Sequence, residues 1–260
     1  MRTILFILIT LFLLPGCTDL DLASPSQAST ASFYSNQTEL EIAVNDLYRL
    51  DFWGNDNEQY SDNYWHRGVL GNAVTFGTMN SEDGTVRDYW LLCYKVIARV
   101  NTFLANKDKA ASNTPANILT RLEAEMRLIR AYQYSRLITH FGDVPFLTTP
   151  VLLGDAYSIR RTNKEEILQF IFAELDFAAD NLPQTYTSGL KRLTKGAALA
   201  IKARTAIYMN KWTEARDASL AVMRLTGPGS YALHSNFSQL FVKAGESSSE
   251  IIISIPRDEA

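Results

Sequence analysis

One segment of the chain, residues 51–86, carries side chains whose types and spacing suit a polar ligand with flat apolar faces. Its centre reads Asp-Asn-Tyr-Trp-His-Arg at 62–67, so two aromatic rings stand beside carboxylate, amide, imidazole and guanidinium groups. Sugar rings present apolar C–H faces that stack on tryptophan and tyrosine, while their hydroxyl groups need polar partners. The candidate ligand-binding residues are Trp53, Tyr60, Asp62, Tyr64, Trp65, Arg67 and Asn80.

The same segment leaves other interpretations open. A peptide also offers apolar and hydrogen-bonding groups, so these side chains would suit a peptide as well. Alternatively, the rings of Trp53, Tyr64 and Trp65 pin the segment onto the rest of the domain. Long loops in compact domains are usually functional or disordered, and this density of aromatic residues argues against disorder. We therefore expect at least one of these rings to contact a ligand.

Catalytic and metal-binding chemistry finds little support in the sequence. The 2 cysteines exclude a disulfide framework, and the 3 histidines argue against a multi-histidine metal centre. No Gly-x-Ser-x-Gly elbow, phosphate loop, EF-hand or zinc spacing occurs. His140 ends a predicted helix, where contact with the helix dipole or the core is expected rather than base catalysis. A formal charge of -3 argues against a nucleic-acid partner. We predict a protein that is not an enzyme and needs no cofactor or metal.

Residues 1–16 are predicted to be an export signal. One arginine precedes the apolar run 4–14, which is too short to span a bilayer and fits a secretory signal. The run ends in Leu-Pro-Gly-Cys, a sequence similar to the bacterial lipobox, in which the cysteine is acylated. We expect Cys17 to be lipidated and residues 17–37, rich in Ala, Ser, Thr, Pro and Gln, to form a tether. An ordinary secretory signal with an incidental cysteine is the alternative.

The elements that must position the ligand-binding segment are predicted to be helices. Residues 38–260 read as a mainly α-helical domain of tetratricopeptide-like helical pairs, with long ligand-binding loops and little strand. Helices are predicted from Thr38 with Glu41 as a capping box, from about Arg87, from Pro115 after a Thr114 cap to Phe141 with Gly142 beyond it, from Thr162 with Glu165, and at 194–209 and 212–225. The run 250–255 is predicted to be a strand or an extended segment.

The last two helices resemble a tetratricopeptide unit. Ala206, Tyr208, Trp212 and Ala215 give a small-large-large-small pattern around the turn between them. We therefore expect tetratricopeptide-like helices across residues 87–225.

Charged and aromatic residues on the predicted helices are expected to be structural. Arg130 lies between apolar positions and should tie neighbouring helices together, with Glu125 and Asp143 as partners. Cys93 is expected to be a small buried apolar residue. The rings expected to pack between helices are those of Trp90, Tyr94, Tyr132 and Tyr134.

Five motifs, taken in order along the chain, resemble those of a known family. The first is Cys17 followed by an acidic-leucine segment, and the second is the spacing Trp90-x-x-x-Tyr94-x-x-Ile97-x-x-x-Asn101. The third runs from Glu125 through Arg130-Ala131-Tyr132 into Phe-Gly-Asp-Val-Pro at 141–145. The fourth is Arg160-Arg161-Thr162 ahead of a helix ending at Leu182-Pro183, and the fifth is the alanine-rich run 193–204 followed by Tyr208 and Trp212. Together they resemble the SusD/RagB family of outer-membrane nutrient-binding lipoproteins.

This resemblance implies a location, a ligand and a partner. It implies a lipid-anchored, surface-exposed outer-membrane protein that captures an oligosaccharide and passes it to a SusC-like TonB-dependent transporter, acting as a lid on the transporter barrel. It also implies a recognition surface between the first helix and the Trp90 helix. Members of the family are usually about twice as long, so the sequence is expected to be roughly the first half of a larger protein. A peptide-capturing RagB-like member and a purely protein-binding tetratricopeptide scaffold are the alternatives.

Overall fold

A computed structural model describes residues 32–54, 61, 73–152, 154–186 and 191–255. The chain divides into two compact units, residues 1–33 and residues 34–260, and every element described below belongs to the second. The predicted export signal and several predicted site residues lie outside the described residues; the latter are Cys17, Tyr60, Asp62, Tyr64, Trp65 and Arg67.

The described residues form seven α-helices and little else that is regular. The helices are α1 (Gln37–Asn45), α2 (Leu50–Trp53), α3 (Gly84–Asn106), α4 (Ala116–Phe141), α5 (Lys164–Asn181), α6 (Lys195–Tyr208) and α7 (Trp212–Met223). Short 3₁₀ helices lie at Asp46–Tyr48, Lys107–Asn113, Ala156–Ser158, Phe237–Phe241 and Lys243–Ser247. In this part of the chain, two strands pair, β1 (Val144–Pro145) and β2 (Arg161–Thr162), antiparallel with Val144 opposite Thr162. The predicted mainly α-helical class is confirmed.

From α3 onward, each helix packs against the next one along the chain. Helix α4 is the centre of this arrangement because it contacts α1, α3, α5 and α6. Contacts on several sides explain why both apolar and polar side chains of α4 are buried, including Leu122, Ile129 and Tyr134, which have no exposed surface. Each large apolar side chain buried in this way stabilises the fold by roughly 1.5–3 kcal/mol. The successive helical pairs give the predicted tetratricopeptide-like architecture. None of the helices described is both long and apolar enough to cross a membrane.

Two predicted helix caps differ from the observed ones by one or two residues along the chain. Helix α1 is capped by Asn36, whose side chain accepts the backbone N–H of Glu39, and not by Thr38. Helix α5 is capped by Asn163, because Thr162 pairs in β2 instead. Asparagine and threonine both cap helices, and where they stand close together the chain path before the helix decides which one reaches the free N–H groups.

The starts of α3 and α4 also differ from the prediction. Asp83 caps α3 through the backbone N–H of Thr85, so this helix begins three residues before Arg87. Helix α4 begins after Pro115, and the buried Thr114 hydroxyl makes no capping hydrogen bond. Pro115 itself occupies the cap position with a non-helical ψ of 136°, so Thr114 stands one residue too early to reach the free N–H groups of the first turn.

Other helix ends agree with the sequence patterns. Gly142 follows α4 with a positive φ of 68°, and its N–H donates to the carbonyl of Ile138 at 3.1 Å. This left-handed turn is the conformation for which glycine was predicted there. Helices α6 and α7 lie within two residues of the predicted ranges 194–209 and 212–225.

The run 250–255, predicted to be a strand or an extended segment, is not a strand in the described residues. Residues 251–255 pair with no neighbouring strand, and the strand pairing found lies between β1 and β2 instead. A β-branched run has strand propensity, but it becomes a strand only where another backbone lies alongside to accept its hydrogen bonds.

The buried tyrosines predict a loss of stability in alkali. Burial raises the pKa of Tyr89 and of Tyr186 to about 12, and raises the pKa of Tyr94 and Tyr134 as well. An unfolded tyrosine has a pKa of about 10, so above that pH the unfolded chain loses these protons first. Each tyrosine with a raised pKa stabilises the folded state fully below about pH 10. Above that pH, this stabilisation falls by about 1.4 kcal/mol per pH unit. Thermal unfolding followed from about pH 8 to pH 12 should show the midpoint falling steeply above about pH 10. The prediction is wrong if the unfolding midpoint stays constant above pH 10 and the folded chain already shows tyrosinate absorbance at about pH 10.

Candidate ligand-binding site

The beginning of the predicted ligand-binding segment is fixed to α4 by three side chains. Gln133 Nε2 donates to the Phe52 carbonyl at 2.8 Å, and Arg136 Nη1 donates to the same oxygen at 3.1 Å. The Tyr132 hydroxyl donates to the Trp53 carbonyl at 2.7 Å. Because two consecutive carbonyls accept three hydrogen bonds from one helix, α4 sets the direction in which the chain enters the segment.

The Trp53 ring is half-buried and already engaged with the scaffold. Its indole N–H donates to the Leu47 carbonyl at 2.9 Å. The ring stacks on Tyr132, with centroids 5.0 Å apart and planes at 22°, and its centroid lies 6.3 Å from that of Tyr48. Trp53 therefore makes the pinning contacts of the alternative interpretation. A ligand contact by this ring stays a prediction.

Gly54 follows α2 at a point where a side chain would not fit easily. Its φ is 95°, and a Cβ atom there would lie 3.3 Å from Arg136 Nη2. Both the left-handed backbone and the nearby guanidinium favour glycine at this position. Helix α2 therefore ends at Trp53, inside the predicted loop region 51–86.

Arg136 connects the start of the segment with α3, the helix that follows it. Its Nε donates to the Tyr89 hydroxyl at 3.1 Å, and its guanidinium lies 4.4 Å from the centre of the Tyr89 ring. The Tyr89 hydroxyl also lies 3.2 Å from Nδ1 of His140, in the last turn of α4. The helix that follows the segment is thus tied, through Arg136, to the same part of α4 that holds the start of the segment.

Asn80 lies near the other end of the segment, in an exposed turn before α3. Its side-chain oxygen accepts the backbone N–H of Glu82 at 2.8 Å, and its carbonyl accepts that of Asp83 at 3.2 Å. Phe76 and Met79, in the same stretch, are 62% and 40% exposed. Asn80 is therefore accessible for the predicted ligand contact, which stays a prediction.

Arg130 ties helices together as predicted, but through other partners. Its Nε and Nη2 donate to Glu174 at 3.1 and 2.7 Å, and its Nη1 donates to the Asn101 side chain at 2.8 Å and the Thr148 carbonyl at 3.1 Å. The predicted partner Glu125 lies five residues earlier on α4, which places it about 140° away around the helix.

The two predicted partners of Arg130 serve other contacts. Glu125 accepts the hydroxyl of Tyr48 at 2.7 Å and Nη1 of Arg192 at 2.8 Å. Asp143 accepts the backbone N–H of Lys164 at 2.9 Å, in the first turn of α5. Both carboxylates therefore support the scaffold.

The helical aromatics also contact the scaffold. The Tyr94 hydroxyl donates to the Pro145 carbonyl at 2.7 Å, and the Tyr134 hydroxyl donates to the Leu147 carbonyl at 2.9 Å. Cys93 is fully buried, as predicted. The Trp90 ring lies 5.0 Å from that of Phe141, edge to face.

At the turn between α6 and α7, the small residues of the predicted small-large-large-small pattern are buried and the large ones are exposed. Ala206 and Ala215 are buried, whereas Tyr208 and Trp212 are 56% and 64% exposed. The small residues therefore allow the close approach of the two helices, while the large rings face outward.

Among the described residues, no cluster of side chains suits a metal ion, and a concavity lies beside residues 191–194. It is an open cleft of about 440 Å³ whose walls include Tyr186, Arg192 and Tyr231. Neither Trp53 nor Asn80 lines it.

Fold and site together define a helical-pair domain that carries a long aromatic segment between α2 and α3. Residues 20–208 match the SusD-like family, described as starch-binding and associating with the outer membrane. The chain belongs to this family, and the resemblance seen in its five motifs is confirmed.

Relatives of known sequence and structure agree with this assignment. A SusD-like protein of Formosa agariphila, P2, is 27% identical over 78% of the chain and 41% of its own length. A SusD-like protein of Bacteroides ovatus is 28% identical over 80% of the chain and 40% of its own length. The chain thus spans less than half the length of these relatives.

Solved structures share the fold. A SusD-like carbohydrate-binding protein of Bacteroides fragilis superposes with a TM-score of 0.75 and 27% identity, over 85% of this chain and 46% of that one. A laminarin-binding SusD-like protein superposes with a TM-score of 0.66 and 23% identity, over 85% and 51%. The family is described as starch-binding, and these two neighbours as carbohydrate-binding and laminarin-binding; the family description supports association with the outer membrane.

Proposed function

We propose that this chain is part of a cell-surface lipoprotein that captures oligosaccharides and passes them to a SusC-like TonB-dependent transporter. The observation that carries the proposal is the aromatic segment 51–86, in which the Trp53 ring stacks on Tyr132. The carbohydrate-binding family supports a sugar as the ligand. The Leu-Pro-Gly-Cys sequence supports acylation of Cys17, which would hold the protein at the outer membrane. Catalysis and a cofactor have no part in this function.

The proposed ligand site combines stacking and hydrogen bonding. Rings of the segment stack on the C–H faces of sugar units, and polar side chains meet their hydroxyl groups. The proposed contact residues are Trp53, Tyr60, Asp62, Tyr64, Trp65, Arg67 and Asn80. The closest support for the ligand class is the shared fold of a laminarin-binding protein.

We expect replacement of Trp53, Tyr64 and Trp65 by alanine to weaken polysaccharide binding by at least roughly tenfold. Each aromatic stacking contact contributes about 0.5–1.5 kcal/mol, so three lost contacts exceed one order of magnitude in affinity. Affinity electrophoresis in gels containing laminarin or soluble starch measures this change directly.

The matched control for this experiment is Trp212→Ala. This ring is 64% exposed at the start of α7 and is not one of the proposed contact residues, so its loss should leave retention in the gel unchanged. Unchanged polysaccharide binding by the triple variant would show that these three rings do not contact the ligand. A wild-type chain that binds peptides and no glycan on an array would assign the segment to peptide capture instead.

A further inference from the structure

We propose that Arg136 is a positioning residue for the Trp53 ring, holding it at the angle at which it meets a sugar ring. The inference rests on the proposed function for the identity of the ligand. It concerns a residue of α4 outside the candidate segment, which acts through the backbone and rings that surround Trp53.

Hydrogen bonds at the Phe52 carbonyl hold the backbone immediately before Trp53. Arg136 and Gln133 share the Phe52 carbonyl, and Arg136 Nη1 also donates to Gln133 Oε1 at 3.0 Å, which closes a three-membered polar cluster. Gln133 has no exposed surface. A buried polar group left without its partner costs about 1–3 kcal/mol. If the carbonyl swings away, the buried Gln133 amide and one N–H of the half-buried Arg136 guanidinium lose their acceptor, so the Trp53 backbone is held with it.

Arg136 also lies close to the backbone at Gly54. The chain turns there with φ at 95°, beside the Arg136 guanidinium. The guanidinium thus lies against the backbone immediately after Trp53, while its hydrogen bond holds the backbone immediately before. Arg136 consequently contacts the chain on both sides of the Trp53 residue.

The Tyr132 ring lies beside both the Arg136 guanidinium and the Trp53 ring. The Arg136 guanidinium lies 5.6 Å from the centre of the Tyr132 ring, and that ring stacks on Trp53. Residues 132 and 136 are four apart on α4 and therefore share a face. The Tyr132 hydroxyl bonds to the Trp53 carbonyl as well. Arg136 thus supports both the stacking partner of the indole and the backbone that carries it.

These contacts restrict what Trp53 can offer a ligand. Its indole N–H is used by the Leu47 carbonyl, and Tyr132 covers part of its ring surface. The remaining contribution is stacking, whose strength depends on ring angle and separation. The contribution of Trp53 to binding therefore depends on neighbouring residues that fix the orientation of its ring, and not on a hydrogen bond from its indole.

A double-mutant cycle tests whether Arg136 acts through Trp53. Arg136→Met keeps the length of the side chain but removes its donors and charge. We expect this change to weaken binding of laminarin or soluble starch by roughly 3–10-fold in the chain that has Trp53, and by nothing further in the Trp53→Ala chain. Arg216→Met is the matched control, since Arg216 is 65% exposed on α7 and pairs with Asp217 at 2.7 Å, and it should leave binding unchanged. An equal loss with and without Trp53 would overturn the proposal.

A second measurement does not depend on the ligand. The chain has 4 tryptophans, so fluorotryptophan labelling gives a small set of fluorine NMR resonances, and Trp53→Phe identifies that of Trp53. Arg136→Met should shift or broaden the Trp53 resonance and leave that of Trp212 in place. An unchanged Trp53 resonance overturns the positioning role even if glycan binding is confirmed. If neither polysaccharide binds, the proposed carbohydrate function fails, and the Trp53 resonance alone decides the role of Arg136.

Discussion

Replacing Glu174 by alanine is expected to lower the free energy of unfolding by about 3–5 kcal/mol. The residue is only 3% exposed, and its carboxylate accepts hydrogen bonds from two guanidinium groups. Arg127 Nε lies 2.7 Å from one oxygen, while Arg130 Nε and Nη2 lie 3.1 and 2.7 Å from the other. Without the carboxylate, two positive charges stay in a region of low dielectric with no opposite charge from α5.

The effect is large because Arg130 joins several elements at once. Its Nη1 reaches Asn101 on α3 and the Thr148 carbonyl after β1. Asn101 in turn donates to the Leu147 carbonyl at 2.9 Å. Losing Glu174 therefore loosens α3, α4, α5 and the segment that follows β1 together.

Denaturant and thermal unfolding followed by far-UV circular dichroism measure this change. A domain of this size loses about 2–4 °C of midpoint per kcal/mol, so the midpoint should fall by roughly 10 °C. Asp176→Ala is the matched control on the same helix, because its ion pair with Lys202 is 55% exposed on the carboxylate side and should contribute less than about 1 kcal/mol. Equal losses for Glu174→Ala and Asp176→Ala would show that burial of the pair does not matter.

Helix positions were accessible from the sequence because they depend on local spacing. Leu40, Val44 and Leu47 recur at helical intervals and are all fully buried. Caps were less accessible, since Asn163 and Thr162 have similar capping ability and only the pairing of β2 separates them. A local pattern therefore places an element but leaves its first residue open.

Partners distant in sequence could not be predicted. The structural role of Arg130 followed from its apolar neighbours, but its partner Glu174 lies 44 residues away on a different helix. In the candidate site, Trp53 stood out by its residue type, whereas Tyr132, which stacks on it, lies 79 residues further on. Nothing in the local pattern of α4 distinguishes Tyr132 and Arg136 from ordinary packing residues. Such pairings depend on how the helices pack, which one sequence does not display.

Replacing Glu125 by alanine is the second change expected to cost about 3–5 kcal/mol of unfolding free energy. Glu125 has no exposed surface, and it accepts the Tyr48 hydroxyl at 2.7 Å and Arg192 Nη1 at 2.8 Å. Burial, together with the negative charge of Glu125, raises the pKa of Tyr48 well above its ordinary range, so this hydroxyl keeps its proton and donates. The Tyr48 oxygen also accepts the N–H of Leu193 at 2.9 Å.

This cluster joins parts of the chain that are far apart in sequence. Tyr48 ends the 3₁₀ turn after α1, and Arg192 and Leu193 precede α6, so Glu125 holds both against α4. Arg121, the third donor to Glu125, keeps a second ion pair with Glu41 at 3.6 Å. In the Glu125→Ala variant, the groups left without their partner are therefore mainly the Tyr48 hydroxyl and the guanidinium of Arg192, whose side chain is 10% exposed. We expect hydrogen exchange in α1 and at 191–194 to rise before the rest of the domain opens.

Two further variants decide whether the buried charge of Glu125 is the cause. Glu123→Ala, two residues earlier on α4, removes a carboxylate that is 23% exposed and paired with Lys107 at 3.1 Å, and it should cost less than about 1 kcal/mol. Glu125→Gln keeps an acceptor for Tyr48 but leaves the guanidinium of Arg192 without an opposite charge, so it should lie between the two alanine variants. A glutamine variant as stable as the wild-type chain would mean that hydrogen bonding alone, and not charge pairing, joins α4 to the chain before α6.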